Sequence, residues 1–240
     1  MRTLILSDLH LGSKNCHAQE ILEVLQRETC DRIILNGDTV NNLNLRKLSP
    51  SHWSVIDRLR KLASSRELIL VRGNHDHDPR HVAQTNGHAS PNGTGHPFGA
   101  PDVLPTLLGV PMVEDYKLEV AGRPYLVLHG DRFDPTLNYF VVSEMAEWCY
   151  QFSQKVNKKL AKWLKKKSKK WGGILEIVRS QSVAHARAKG FEGVVTGHTH
   201  YADDIQVDGV HYVNSGCWTE PPCTYVTTDR DQIRLHHMED

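Results

Sequence analysis

Residues 3–12 read TLILSDLHLG, a short apolar and β-branched run that leads directly into polar side chains. Apolar runs of four to five residues are typical of strands that are buried on both faces. The pattern returns as RIIL before Asn36-Gly37-Asp38, LILV before Arg72-Gly73-Asn74-His75, YLVL before His129-Gly130-Asp131 and GVVT before Gly197-His198-Thr199-His200. Five buried strands with polar ends therefore organise the chain.

Helical patterns lie between the early strands. In residues 17–28 the apolar side chains Ile21 and Leu25 lie on one face, and residues 50–65 form a second helix with Ser51 near its start as a cap. Strand, helix, strand, helix predicts a parallel sheet with right-handed crossovers. Functional residues of such sheets collect beyond the carboxyl ends of the strands, so we expect all five polar clusters at one end of one sheet.

Three segments alternate polar and apolar residues around a turn, as antiparallel hairpins do. They are residues 116–130, 203–216 and 223–238, which turn at Ala121-Gly122, Asp208-Gly209 and Asp229 to Asp231. We therefore expect a second sheet, mixed or antiparallel, packed on the first.

Two insertions interrupt this scheme. Residues 77–102 are rich in Pro, Gly, Asn and His and are interpreted as a loop. The irregular spacing of its histidines at 77, 81, 88 and 96 favours a surface loop over a further metal site. Residues 134–189 are expected to be mostly helical. Without an internal repeat or a clear linker, residues 1–240 are interpreted as one domain with these two insertions.

The composition, with 39% hydrophobic and 24% charged residues, is that of an ordinary globular protein and excludes a membrane-embedded chain. No apolar run approaches the roughly 20 residues that span a bilayer. The hydrophobic run at the N-terminus is too short for a signal peptide, so we expect a cytoplasmic protein. Five scattered cysteines without CxxC spacing indicate reduced thiols.

The second insertion is strongly basic. Residues 155–170 contain nine lysines and no acid, although the whole chain carries a net charge of only +1. Tryptophans at helical spacing among lysines are typical of an interfacial helix drawn to anionic lipid. One alternative is that the apolar stripe packs on the domain. Contact with nucleic acid is a second alternative, which is disfavoured because the lysines are bunched in one segment and lack the pattern of interleaved arginines and stacking aromatics that forms a strand-binding groove. The residues expected to contact substrate or membrane are Trp148, Lys162, Trp163, Lys166 and Trp171.

The polar strand ends contain eight candidate metal ligands. Each alone reads as a strand-end cap, a turn residue or a core histidine, but five such coincidences at one end of a sheet are improbable. Carboxylate, imidazole and amide donors together suit Mn²⁺, Fe or Zn²⁺ rather than Ca²⁺. Gathered at one rim, they could hold two ions roughly 3.5–4 Å apart. The eight are Asp8, His10, Asp38, Asn74, His75, His129, His198 and His200.

The blocks SDLHLG, NGDTVNN, RGNHD, LHGD and TGHTH, in this order, resemble those of the calcineurin-like metallophosphoesterases. The resemblance covers most of the chain apart from the two insertions. It implies an α/β four-layer αββα sandwich, with helices outside two central mixed sheets, and a dinuclear centre for which we expect manganese, with iron or zinc as alternatives. By position, it implies one ion on Asp8, His10, Asp38 and His200 and a second on Asp38, Asn74, His129 and His198, with Asp38 bridging.

The implied chemistry is hydrolysis of a phosphoester or pyrophosphate. Two cations would make water acidic enough to attack near neutral pH and would hold the phosphoryl group in line. Because adjacent side chains diverge, His75 does not suit metal binding beside Asn74. It is better placed to protonate the leaving oxygen or to act as a cation on the transition state. Asp131 could orient a metal-binding ring or could be a plain turn residue.

Within the family, SDLHLG at the N-terminus, HGDRFD before a helical insertion and VNSGCW after TGHTH resemble the UDP-2,3-diacylglucosamine diphosphatase branch. That resemblance implies a lipid-linked substrate and an insertion that acts as a lid over it. It also implies that the protein associates peripherally with the inner surface of the membrane. The chain departs from the branch at His75, where the best-known members carry arginine, and at Asn41 and Asn42, where an acid and an aromatic are usual. The alternative is a soluble phosphatase or phosphodiesterase acting on nucleotides or phosphoproteins. A silent scaffold is disfavoured because every expected ligand position is filled.

Overall fold

The computed structural model describes residues 1–76, 103–137 and 169–238 of the chain. The strands are β1 (Thr3–Leu6), β2 (Arg32–Asn36), β3 (Glu67–Val71), β4 (Met112–Val113), β5 (Tyr116–Val120), β6 (Arg123–Val127), β7 (Gly193–Thr196), β8 (Asp203–Val207), β9 (Val210–Asn214), β10 (Thr224–Thr228) and β11 (Ile233–His237). The helices are α1 (Ala18–Arg27), α2 (Pro50–Ala63), α3 (Val103–Leu108) and α4 (Lys169–Ala188), with 3₁₀ turns at Leu45–Lys47 and Asp131–Phe133.

The first sheet has the order β11-β10-β1-β2-β3-β4. Strands β1 to β4 are parallel, and β10 runs antiparallel to β1. Alternation along β1 divides its side chains between two cores, because successive residues of a strand point to opposite faces. Leu4 and Leu6 pack with Ile21 of α1 and Leu59 of α2, whereas Ile5 packs toward the second sheet.

The second sheet has the order β5-β6-β7-β9-β8 and is mixed. Strands β6, β7 and β9 are parallel, and the outer strands β5 and β8 complete the sheet as hairpins. On its inner face Val127 and Val195 pack with Ile5, and on its outer face Val194 packs with Val183 of α4. The layers are therefore helix, sheet, sheet and helix, which confirms the four-layer sandwich.

One expectation about the sheets is wrong. The polar clusters do not follow five strands of one sheet, because β1, β2 and β3 belong to the first sheet and β6 and β7 belong to the second. In addition, the β10–β11 hairpin extends the first sheet through β1 instead of joining the second. The physical reason is that a strand buried on both faces fits the middle of either sheet, so its local sequence pattern does not indicate which sheet it joins.

The cap of α2 also differs from the expectation. The Ser49 hydroxyl accepts the backbone N–H of His52 at 3.3 Å, and the His52 ring accepts the backbone N–H of Ser49 at 3.1 Å. This is a reciprocal capping box with histidine in the place usually taken by glutamate. Ser51 instead shares a 2.8 Å hydrogen bond with the Ser49 hydroxyl. Pro50 lacks an N–H and is well tolerated in the first turn, so the helix begins at this residue with Ser49 as its cap.

Several sequence-based expectations lie outside the described residues. They concern residues 77–102 and 138–168, including Trp148, Lys162, Trp163 and Lys166, while Trp171 lies in α4 but its side chain is not among those described. Within the described ranges, Cys16, Cys30, Cys217 and Cys223 are not joined by disulfide bonds. None of the helices in the described ranges has the length and apolar character needed to cross a bilayer.

Candidate metal centre

The structure brings the strand ends of both sheets together at one site. Asp8 and His10 follow β1, Asp38 follows β2, Asn74 and His75 follow β3, His129 follows β6, and His198 and His200 follow β7. Their ligand atoms form three overlapping groups, and within each group the atoms lie within 4.8 Å of one another. The groups are Asp8, His10 and His200; His10, Asp38 and His75; and Asp38, His129 and His198.

Asp38 lies at the centre of the site. Its Oδ2 atom is 3.4 Å from Nε2 of His129, 3.7 Å from Nε2 of His10 and 3.9 Å from Nε2 of His75. Its other oxygen, Oδ1, accepts the backbone N–H of His75 at 2.9 Å. One carboxylate thus faces rings from three separate loops.

Asp8 forms the second anionic position. Its Oδ1 atom is 3.3 Å from Nε2 of His200 and 3.9 Å from Nε2 of His10, and these two ring nitrogens are 3.1 Å apart. Its Oδ2 atom accepts the backbone N–H of His198 at 3.0 Å. Asp8 therefore joins the β1 loop of the first sheet to the β7 loop of the second.

Several buried polar atoms of the site lack a hydrogen-bond partner among the described residues. They include Oδ1 of Asp8, Oδ1 of Asn74 and Nε2 of His129. An unsatisfied buried polar group costs about 1–3 kcal/mol, so such atoms are rarely grouped without a function. Oxygen and imidazole donors in this mixture fit a divalent transition metal. The residues present therefore fit a metal centre.

The backbone that presents these side chains is unusual. Left-handed backbone conformations are uncommon outside glycine and cost about 1–3 kcal/mol each, although Asp, Asn and His tolerate them better than most residues. Such conformations cluster at functional sites because the surrounding fold must hold them in place. The site residues with positive φ are Asp8 (53°), His10 (47°), Asp38 (50°), His198 (66°) and His200 (58°).

Two motif glycines allow the close approach of the loops. A Cβ at Gly73 would collide with the backbone nitrogen and the carboxylate of Asp38, and a Cβ at Gly37 would collide with the ring of His129. The second contact joins the two sheets. These glycines thus have a packing reason that the motifs alone do not reveal.

Backbone carbonyls orient two of the rings. Nδ1–H of His129 donates to the carbonyl of Asn36 at 2.9 Å, and Nδ1–H of His75 donates to the carbonyl of Asn41 at 2.8 Å. In both rings Nε2 is left to face the site. The charge of Asp131 favours the protonated form of the His129 ring. Its proposed role in orienting a ring stays a prediction.

Sequence reasoning missed two carboxylates, Asp76 and Asp134. Asp76 accepts the backbone N–H of Val40 at 3.3 Å and that of Gly73 at 3.1 Å, which ties the β2 loop to the β3 loop. Burial and the charge of Asp38 raise the pKa of Asp76 to about 7. Asp134 lies 2.9 Å from the ring of His198. Both residues stand inside quoted motifs, but their partners are distant in sequence, so local patterns carry no signal for them.

Charges within the site shift the carboxyl groups toward ionisation. Burial opposes ionisation of Asp38, yet His129 and His75 outweigh burial and hold the pKa of Asp38 well below its usual value. Burial likewise opposes ionisation of Asp8, but His129 and His200 keep its pKa lowered. Two ionised carboxylates are therefore available to a cation.

The pKa values of the histidine rings in the site shift in both directions. Burial opposes protonation of His129, yet Asp38 and Asp8 raise the pKa of His129 well above its usual value. Burial likewise opposes protonation of His200, but the contact of its ring with the Asp8 carboxylate raises the pKa of His200 well above its usual value. At His10 burial prevails and lowers the pKa to about 4. Without metal, the site thus holds protons on some of its candidate ligands.

Comparison with known proteins places this architecture in context. The family model for calcineurin-like phosphoesterases matches residues 1–202. The fold is similar to that of YfcE, a phosphoesterase from E. coli, with a TM-score of 0.51, 18% identity, and coverage of 97% of this chain and 91% of that chain. It is also similar to a Vps29 single mutant from Entamoeba histolytica, with a TM-score of 0.51, 13% identity and coverage of 100% of both chains. At these identities the likeness concerns the fold alone. No curated protein sequence matches the chain.

Proposed function

Because the chain belongs to the calcineurin-like phosphoesterases, we propose that the candidate ligands around Asp38 form its dinuclear catalytic centre. Members of this family are hydrolases that bind divalent metals and act on phosphoester bonds. The observation that carries the proposal is the convergence of buried donor atoms without hydrogen-bond partners from both sheets. One ion is assigned to Asp8, His10, Asp38 and His200, and the other to Asp38, Asn74, His129 and His198.

The donor set favours manganese, with iron or zinc as alternatives, because hard carboxylate and amide oxygens are mixed with imidazoles. When bound, two such ions supply positive charge that lowers the pKa of water and stabilises a phosphoryl group in the transition state. The contribution of the chain is to hold the donors in place. The buried carboxylates Asp8 and Asp38 do so through their contacts with three separate loops.

We assign His75 as the acid that protonates the leaving oxygen. Its Nδ1–H is engaged by the Asn41 carbonyl, so Nε2 is free to carry a second proton, and it lies 3.9 Å from Oδ2 of Asp38. The side chain is 33% exposed, which lets it reach a substrate. A general acid in this position contributes typically about 10²–10⁴-fold to the rate.

The proposal is tested by metal content and turnover together. Replacement of the shared ligand, Asp38→Ala, should remove both ions, which elemental analysis of the purified protein measures. His75→Ala should keep both ions and lower kcat by about 10²–10⁴-fold on a phosphodiester with a poor leaving group. Unchanged metal content in Asp38→Ala would refute the assignment of the centre.

For the substrate, we propose a lipid-linked pyrophosphate resembling UDP-diacylglucosamine. The support is the set of sequence blocks shared with that branch and the lysine-rich segment 155–170, which suits an anionic membrane surface. The departures at His75, Asn41 and Asn42 favour the second candidate, a phosphatase or phosphodiesterase that acts on nucleotides or phosphoproteins.

The two candidates differ in a simple assay. The lipid-linked substrate predicts hydrolysis of UDP-diacylglucosamine in preference to a free nucleotide diester. It also predicts that lysine-to-glutamine changes within 155–170 weaken binding to vesicles that contain anionic lipid, because each lysine near such a surface contributes on the order of 1 kcal/mol. Equal vesicle binding and a preference for the free nucleotide would favour the second candidate.

A further inference from the structure

A carboxylate at the start of the second insertion contacts one candidate metal ligand. After β6 the chain turns at Gly130, with φ of 108°, and continues through the 3₁₀ turn Asp131–Phe133. This turn brings Asp134 against the His198 ring, with 2.9 Å between Oδ2 and Nε2. Both side chains are about nine-tenths buried, with exposures of 9% and 10%.

Asp134 is itself held in place. Its other oxygen, Oδ1, accepts the backbone N–H of Thr136 at 2.8 Å and the hydroxyl of the same residue at 2.7 Å. Two short hydrogen bonds fix the plane of the carboxylate and leave Oδ2 directed at the histidine. The contact is therefore part of an ordered chain from Thr136 through Asp134 to His198.

The contact determines which nitrogen of His198 can bind a metal. An ionised carboxylate only accepts hydrogen bonds, so Nε2 of His198 must carry the proton, and the lone pair of the neutral ring is then on Nδ1. In His75 and His129 the arrangement is reversed, because backbone carbonyls engage Nδ1–H and leave Nε2 toward the site. His198 nevertheless belongs to a ligand group with Asp38 and His129.

We propose that Asp134 is a positioning residue that holds His198 with its proton on Nε2 and so makes Nδ1 the metal-binding atom. The inference rests on the proposed dinuclear centre. It adds Asp134, a residue of the second insertion, to the residues that form that centre, and it predicts which nitrogen of the His198 ring binds the metal.

Helix α4 supports the loop that carries Asp134. The ring centroids of Phe133 and of His185 in α4 are 5.5 Å apart, and Val178 of α4 lies beside Gly130. Since the loop begins the second insertion and α4 ends it, both ends of the insertion meet next to the metal ligand. Helix α4 thus packs against the loop that places Asp134 beside His198.

The ring atom can be read by NMR on the intact protein. The protein is labelled with ¹⁵N-histidine and loaded with ¹¹³Cd, and His198→Gln identifies the His198 signals. We expect a coupling from cadmium to Nδ1 of His198 and a proton on its Nε2. Coupling to Nε2 would overturn the proposal, because Asp134 would then compete with the metal for that atom.

Metal affinity measured by titration calorimetry gives an independent readout. Asp134→Ala should weaken the binding of one ion by about 10–100-fold, as found when partners of metal-binding histidines are removed. Asp134→Asn keeps an oxygen that accepts from Nε2–H and should restore most of this affinity. Asp204→Ala is the matched control, because Asp204 of β8 makes a similar 2.6 Å contact with His211 of β9, outside the ligand groups.

The outcomes separate the two proposals. A wild-type protein that binds two ions, together with an Asp134→Ala variant of unchanged affinity, would overturn this inference alone. An equal loss in Asp204→Ala would also overturn it, since the effect would then be general. A wild-type protein that binds no divalent ion would overturn the proposed function as well.

Discussion

At the scale of single residues, the site requires its loops to approach one another more closely than residues with a Cβ atom would allow. Asp38 contacts rings from three loops, and this is possible only because its neighbours Gly37 and Gly73 have no Cβ. The same carboxylate raises the pKa of His129. The position of Asp38 therefore accounts both for the close packing of the loops and for the raised proton affinity of His129.

We predict that Gly73→Ala disrupts the centre. The added Cβ would meet the backbone nitrogen and carboxylate of Asp38, so the β2 or β3 loop must shift. We expect a loss of about 1–3 kcal/mol in the free energy of unfolding, as for other overpacked sites, together with weaker metal binding. Urea denaturation and calorimetry measure the two effects.

Gly173→Ala is the control for this prediction, because nothing lies within 4 Å of its would-be Cβ in helix α4. Removing a glycine from a helix interior should raise stability by about 0.5–1 kcal/mol. If Gly73→Ala were as stable as the wild type and bound metal equally well, the packing argument would fail.

Metal binding is expected to release protons. His129 and His200 have raised pKa values in the metal-free protein, whereas a metal requires the neutral ring. Since the raised pKa keeps these protons bound at neutral pH, each ion must displace them, and apparent affinity should increase with pH. Calorimetry in buffers of different ionisation enthalpy counts the protons, and a pH-independent affinity with no release would contradict the prediction.

At the scale of elements, loops at strand ends carry the candidate ligands, while helices and hairpins set where those ends lie. Helix α2 follows the β2 loop directly, and its first turn is secured by the reciprocal bonds between Ser49 and His52. The β10–β11 hairpin covers the edge of β1, the strand that carries Asp8. These elements stabilise the site without contributing a ligand to it.

We predict that Ser49→Ala costs about 1 kcal/mol in the free energy of unfolding, because it leaves the His52 N–H without its cap. Ser51→Ala should cost less, since its hydroxyl only bonds to that of Ser49. Parallel urea titrations compare the two variants. A larger loss of stability in Ser51→Ala than in Ser49→Ala would indicate that Ser51 is the cap, as the sequence predicts.

At the scale of the whole molecule, the centre joins two sheets that also meet through apolar packing and through hydrogen bonds such as that from Nδ2 of Asn36 to the carbonyl of Leu128. Ile5 and Ile34 of the first sheet pack against Val127 and Val195 of the second. The proposed ligands come from both sheets, so ions bound there would crosslink the layers. Metal binding and the stability of the sandwich should therefore be linked.

Removal of divalent metal with a chelator is expected to lower Tm. A ligand present at 100 times its Kd stabilises a folded protein by about 2.7 kcal/mol per site, which shifts Tm by several degrees. Calorimetric scans with and without metal measure the shift. Asp38→Ala should abolish it, and a wild-type Tm that is the same in both conditions would argue against a centre that spans the sheets.

Much of this fold follows from local patterns. The strands at TLIL and GVVT, the helix that contains Ile21 and the three hairpins are found where periodicity and turn residues predict them. The candidate ligands could be proposed in the same way, because carboxylates and imidazoles repeatedly follow buried strands. Asp76 and Asp134 could not, since each acts on a group that approaches it only in the folded chain.

The sequence by itself determined the strands, their polar ends and the kind of ion that those ends suit, because these depend on residue type and short-range periodicity. Only the tertiary structure decided which sheet each strand joins, which glycines admit neighbouring loops and which carboxylate orients His198. Those features depend on contacts between residues far apart in the chain, and a local pattern is compatible with more than one such partner.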